Sequence, residues 1–319
     1  LSPGLDPGAL FDRLPAETYV KYYPLFSYVG NDTLLPLTYQ QNLPRLFAES
    51  EVDASSNPQM NEWAGRFFNE NFDFVKTIQE TGGTRIYMYG YGQQEVRINH
   101  LGRLEYSAET GNQSSTSVGK ALDTALLFME GHQGSPSDMT LQSVRLLDDN
   151  GLRGYRFSFG YHFRDLPVVM TRDHYPLEID VFGTEVRYYR TLIRRPMSLP
   201  EVMPETGILS PHRLIEEYFN QLLEDLAADR GSDTAGSEES PDPISAETGE
   251  ALGADQTIEG EELLKAIREV QLVYLDREET HRRQLLIPVW RIKIDQRVYD
   301  FDAHEGILLQ SFQLSGRDV

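Results

Sequence analysis

One short pattern is written three times in this chain: an alternating strand, a turn holding a glycine, then a second strand. The copies run from Glu95 to Tyr106, from Leu177 to Tyr188 and from Val298 to Leu309, with Gly102, Gly183 and Gly306 in the turns. Alternation with period two suits a sheet that buries one face. Glycine takes the positive φ of a hairpin corner without steric cost. A chain so punctuated is committed to antiparallel sheet. The pattern carries no catalytic signature, which points to scaffolding and recognition rather than to chemistry.

Helices precede these strands. Asn57-Pro58 offers a cap with proline at the first helical position, and Met60, Trp63 and Phe67 follow at helical spacing. Ser117 is a second cap. Behind it Val118, Ala121, Leu122, Ala125, Leu126 and Met129 share a face, and Gly131 is expected to end the helix. Ser210-Pro211 opens a third, whose stripe runs through Leu214, Ile215, Tyr218, Phe219, Leu222, Leu223 and Leu226. Strands are expected at about 140–147, 153–162, 175–182, 184–192, 269–276, 284–294, 297–302 and 306–313. Tyr19–Tyr23 and Leu35–Tyr39 read as short edge strands.

The order is helix followed by antiparallel strands, repeated. The expected class is α+β, built of consecutive helix-plus-antiparallel-sheet domains, and the spacing leaves little room for the crossovers of a parallel sheet. Three domains are expected: 1–112, 113–203 and 208–319.

Charge excludes some partners. The 319 residues hold 29 Lys plus Arg against 50 Asp plus Glu, a formal net charge of -21. Such a surface repels phosphate backbones, which argues against nucleic acid. Residues 229–262 alone carry eleven acids and one base, Arg230. Residues 229–258 also lack aromatics, so they bury too little to offset ordering entropy, and a disordered acidic insertion is expected there. Its sharper reading is an interaction tail for a basic partner or divalent ions. There is no cysteine, so disulfides and thiolate chemistry are excluded. No apolar run reaches the roughly 20 residues that span a bilayer. The chain starts at Leu1 rather than Met, so a fragment or processed form is expected.

The search for chemistry finds little. GxSxG, HExxH and phosphate-loop motifs are absent, and Gly90-Tyr91-Gly92 lacks the third glycine of a dinucleotide fingerprint. The histidines, His100, His132, His162, His174, His212, His281 and His304, are scattered singly. His304 has the best company: alternation puts Asp300, Asp302 and His304 on one strand face, a weak metal-site candidate set against a polar solvent face opposite Phe301. The Pro288–Ile294 strand places Trp290, Ile292 and Ile294 opposite Val289, Arg291 and Lys293, with proline expected at its head. No catalytic, cofactor-binding or metal-ligating residues are expected, and the partner-binding residues are not indicated.

Several segments together resemble one family, YycH with its shorter relative YycI, regulators of an essential cell-wall two-component system in Gram-positive bacteria. The resemblance rests on Arg66 to Val75, Ile86 to Tyr106, Tyr155 to Val168, Leu177 to Arg190 and Ile287 to Arg291. It covers about residue 60 to the end, and its motifs are structural. It implies a single-pass membrane protein whose N-terminal helix precedes this extracytoplasmic region. It implies action without catalysis or cofactor, by contact with the sensor histidine kinase (YycG/WalK type) and the YycI-like sister protein. The N-terminal part is short for the family and the membrane helix is absent, as in a trimmed ectodomain. The acidic insertion is outside the family pattern.

Two rivals stay open. A secreted wall-processing hydrolase would need convergent carboxylates of perturbed pKa in a cleft. A small-ligand or peptide sensor would need an apolar pocket, with Tyr89, Tyr91 and Tyr161 as candidate walls.

Overall fold

In the computed structural model of this chain the described residues are 22–24, 34–36, 43–109, 111, 116–132, 139–149, 151–172, 174–197, 207–234, 261–277 and 282–314. Their strands, in chain order, are β1 (Tyr22–Pro24), β2 (Leu34–Pro36), β3 (Leu46–Ser50), β4 (Lys76–Gln79), β5 (Arg85–Tyr89), β6 (Gln94–Ile98), β7 (Leu104–Ala108), β8 (Met139–Asp149), β9 (Leu152–Phe163), β10 (Leu166–Met170), β11 (Leu177–Phe182), β12 (Glu185–Thr191), β13 (Arg194–Pro196), β14 (Ile267–Asp276), β15 (Arg283–Ile294), β16 (Arg297–Asp302) and β17 (Leu308–Gln313). The helices are α1 (Asn57–Phe68), α2 (Val118–His132), α3 (Pro211–Glu217), α4 (Phe219–Thr234) and the short α5 (261–266). The fold is α+β, as expected.

β1 and β2 pair with each other, while the other strands form a 15-stranded sheet in the order β13-β3-β15-β14-β10-β9-β11-β12-β7-β6-β5-β4, with β16 and β17 beyond β15 and β8 beside β9. Pairing is antiparallel except between β10 and β14, the one parallel pair among the described strands. That pair departs from a purely antiparallel expectation. It is also, with the antiparallel β3–β15 pair, one of two places where the sheet passes between the strands before residue 200 and those after 260. β10 is short and contains Pro167, so its strand signal is weak, and no strand was expected there.

Two cores lie under the helices. α1 and α2 cover the first through Phe67, Ala125 and Met129, against Val96, Tyr106, Phe157, Ile179 and Tyr189. α3 and α4 cover the second through Leu214, Ile215, Leu222 and Leu226, against Trp290, Ile292, Tyr299 and Phe301. Each fully buried aliphatic or aromatic side chain contributes about 1.5–3 kcal/mol. Trp290 Nε1 donates to the Leu209 carbonyl at 2.8 Å, so the largest buried ring also closes its polar end.

All three recurrent turns carry their glycine in the left-handed region, with φ of 83° at Gly102, 62° at Gly183 and 74° at Gly306. Gly102 has a second reason: a Cβ there would collide with Ser50 Oγ and the Val52 carbonyl. The first hairpin is thereby pinned against β3.

Several local expectations shift. The first helix is capped by Ser56, whose hydroxyl accepts from the Gln59 amide at 3.4 Å, rather than by Asn57. Gly131 lies inside α2 rather than after it. The stripe opened by Ser210 bends at Tyr218, whose φ of -101° and ψ of 10° separate α3 from α4. Pro288 stands inside β15 rather than at its head. It falls between the stretch that pairs with β3 (283–286) and the stretch that pairs with β16 (289–294), where a missing N–H interrupts neither ladder. The start of the expected disordered insertion is helix: α4 runs to Thr234, and Asp229 takes a bidentate contact from Arg297 at 2.6 and 2.9 Å. Residues 235–258 lie outside the described residues, as do 19–21 and 37–39 of the two expected edge strands.

Candidate functional site

Asp300, Asp302 and His304 prove to be interior residues, not a solvent face. They are 0%, 3% and 3% exposed. Arg291 grips Asp300 through two nitrogens at 2.8 Å each. Arg45 reaches Asp302 at 2.7 Å and Glu305 at 2.5 Å, while His304 Nε2 donates to the Leu43 carbonyl at 2.8 Å. The cluster is a polar clamp that ties the third hairpin to the segment before β3. No group of three or more His, Asp or Glu among the described residues is placed to hold a metal ion.

Tyr89, Tyr91 and Tyr161 do not converge. Tyr161 is buried on β9, Tyr89 packs partly buried on β5, and Tyr91 is fully exposed. β9 and β5 stand five strands apart in the sheet. At about 4.8 Å per strand that is roughly 24 Å.

On the face of the sheet away from α1 and α2 lies an open groove of about 770 Å³, with Arg156, Glu178, Asp180, Tyr188 and Arg190 among its lining. Glu178 and Asp180 alternate onto the same face of β11, which is the spacing a two-carboxylate site would use. Each is already matched: Arg156 Nε meets Asp180 at 2.6 Å and Arg190 meets Glu178 at 2.6 Å. Burial, and next the charge of Glu105, push the Tyr188 hydroxyl up to about 12, so it stays protonated at neutral pH. The groove floor is a cross-strand ladder of ion pairs.

A different surface is better made for recognition. β8 pairs with β9 along one edge, and its other edge meets no strand among the described residues. It has 11 residues, whereas the other free edges belong to β4 with 4, β13 with 3 and β17 with 6. Long open edges invite strand addition. Leu141, Val144 and Leu146 lie opposite Phe159, Phe157 and Tyr155, and therefore on the core side of the sheet. They are nevertheless 41%, 44% and 56% exposed.

Helix geometry supplies a wall beside this strand. Phe128 of α2 touches Phe67, Tyr106 and Tyr189, so its flank looks toward α1, β7 and β12. At 100° per residue Leu122 and Leu126 occupy the opposite flank, which looks toward β9 and β8. Leu126 is 41% exposed. The result is an apolar trough between α2 and a free strand edge.

Sequence reasoning missed this surface. The alternation of β8 is broken by a bulge between Leu141 and Ser143, and an edge is a property of strand order.

No family model matches the chain, and no curated protein matches it. Solved structures do resemble it. An uncharacterized protein from Eubacterium rectale ATCC 33656 superposes with a TM-score of 0.51 at 11% identity, over 86% of this chain and 87% of that one. YycH from Bacillus subtilis gives a TM-score of 0.41 at 11% identity, over 88% of this chain and 56% of that one. The Bacillus megaterium YpeB C-terminal domain gives 0.33 at 9% identity, over 82% and 98%. At such identities likeness concerns the fold alone.

Proposed function

We propose that this chain is the extracytoplasmic part of a membrane-anchored, non-catalytic regulator. It modulates a sensor histidine kinase controlling cell-wall metabolism, by protein–protein contact, together with a sister regulator. The observation that carries the reading is the free β8 edge with its apolar flank. An 11-residue strand whose outer edge meets no strand among the described residues, beside exposed Leu141, Val144 and Leu146, suits an extended partner segment that adds as an antiparallel strand. The sequence resemblance supplies the kind of partner, and the extracytoplasmic segment of the kinase is taken as the occupant. The matched carboxylates of the sheet groove support action without catalysis. Regulation then follows from unequal affinity for two kinase states.

Co-purification from membranes tests the reading. The tagged protein should recover the kinase, and Val144→Lys should lower that recovery. Recovery of neither kinase nor sister protein would sink the proposal. Recovery that Val144→Lys leaves unchanged would remove the assignment to β8.

A further inference from the structure

A second cavity, of about 590 Å³, lies where β9 and β10 meet β14 and β15. That volume falls within the range of small-molecule pockets. Pro167, Val298 and Phe312 give it apolar wall, and among the described residues Arg172, Arg291 and Lys293 give it three positive charges against one lining acid, Glu269. In a chain of net charge -21 this is a local reversal of sign. Low-dielectric walls around such charges focus their field into the cavity.

The three cations are not equivalent. Arg291 is committed to Asp300. Lys293 stands opposite Glu269 in the β14–β15 register, yet forms no ion pair among the described residues. The Arg172 side chain likewise has no partner among them, although its backbone amide donates to Gln310 Oε1 at 3.3 Å. The Arg172 backbone also sits at φ 59°, in the left-handed region that glycine would occupy without strain. A strained backbone carrying an unpaired cation into a cavity is a feature of binding sites rather than of scaffolds.

We propose that this cavity binds a small organic anion. Its phosphate or carboxylate group is held by Arg172 and Lys293, and its apolar portion lies against Pro167, Val298 and Phe312. Isothermal titration of the full chain with phenyl phosphate, benzoate and the neutral benzyl alcohol tests this. Both anions should bind saturably and benzyl alcohol should not. Arg172→Gly removes the charge while relaxing the backbone, so it stays folded by circular dichroism and should weaken both anions by about tenfold, the loss of one charged hydrogen bond. Lys293→Met should do the same, and Glu269→Gln should tighten binding by removing the opposing charge. The proposal is overturned if neither anion binds, if benzyl alcohol binds equally, or if Arg172→Gly and Lys293→Met both keep the parent affinity. None of these outcomes depends on a protein partner, so this site and the β8 edge stand or fall separately.

Discussion

Arg194 and Asp276 are 0% and 1% exposed, and they form an ion pair across the seam between β13 and the end of β14. Two charges taken out of water are held only by each other and their remaining hydrogen bonds, so losing one partner is costly. Arg194→Met should lower stability by about 3–5 kcal/mol, and Arg194→Met with Asp276→Leu should recover most of it. Urea unfolding midpoints of the two variants check this, and equal midpoints would contradict it. His132 gives a pH dependence. Its ring stacks on Phe128 at 4.0 Å and Phe67 at 4.7 Å, and burial holds its imidazole below the ordinary histidine value. The unfolded chain therefore binds more protons than the folded one just below pH 6.5. The stability from neutral His132 is present above about pH 6.5 and is lost as pH falls below it. His132→Gln should flatten the thermal midpoint between pH 7 and pH 5, and a slope unchanged from the parent would contradict this.

The β8 strand makes an argument at the scale of elements. Its Val144 and Leu146 side chains are already half in water, so lysine there should change stability by no more than about 0.5 kcal/mol while lowering partner recovery. A large loss of stability in Val144→Lys would mean that the edge is covered. Elements with strong local signals were legible in the sequence: the three glycine hairpins, α2, and the Ser210-capped start of α3 all form at the residues that announced them. β3, β10 and β13 were not expected, since they run for only 3 to 5 residues; β3 and β13 form on ladders from distant strands, and β10 forms as a hairpin arm on β9 with the distant β14 along its other edge. The polar clamp was misread for the same reason. Asp302 and His304 look solvent-facing until Arg45, 257 residues from Asp302 in sequence, closes over them. The trough beside β8 depends on which strands end the sheet, and no window of sequence states that.

At the scale of the whole molecule, β7 pairs with β12 and β10 with β14, so the sheet runs through both expected unit boundaries. The second core nevertheless draws its buried residues from 214 to 303, apart from Leu43. We propose 208–319 as a folding unit. Expressed alone, it should unfold cooperatively at a lower midpoint than the full chain, because Asp276 loses Arg194; absence of any transition would contradict this. The central claim concerns a partner. It is tested most directly by a photo-reactive phenylalanine analogue placed at 144 in the protein expressed in cells, with the same probe in the sheet groove at 188 as reference. Contact through β8 predicts a cross-link to the sensor kinase from 144 and none from 188. Cross-links from 188 alone, or from neither position in cells where the kinase is present, would contradict it.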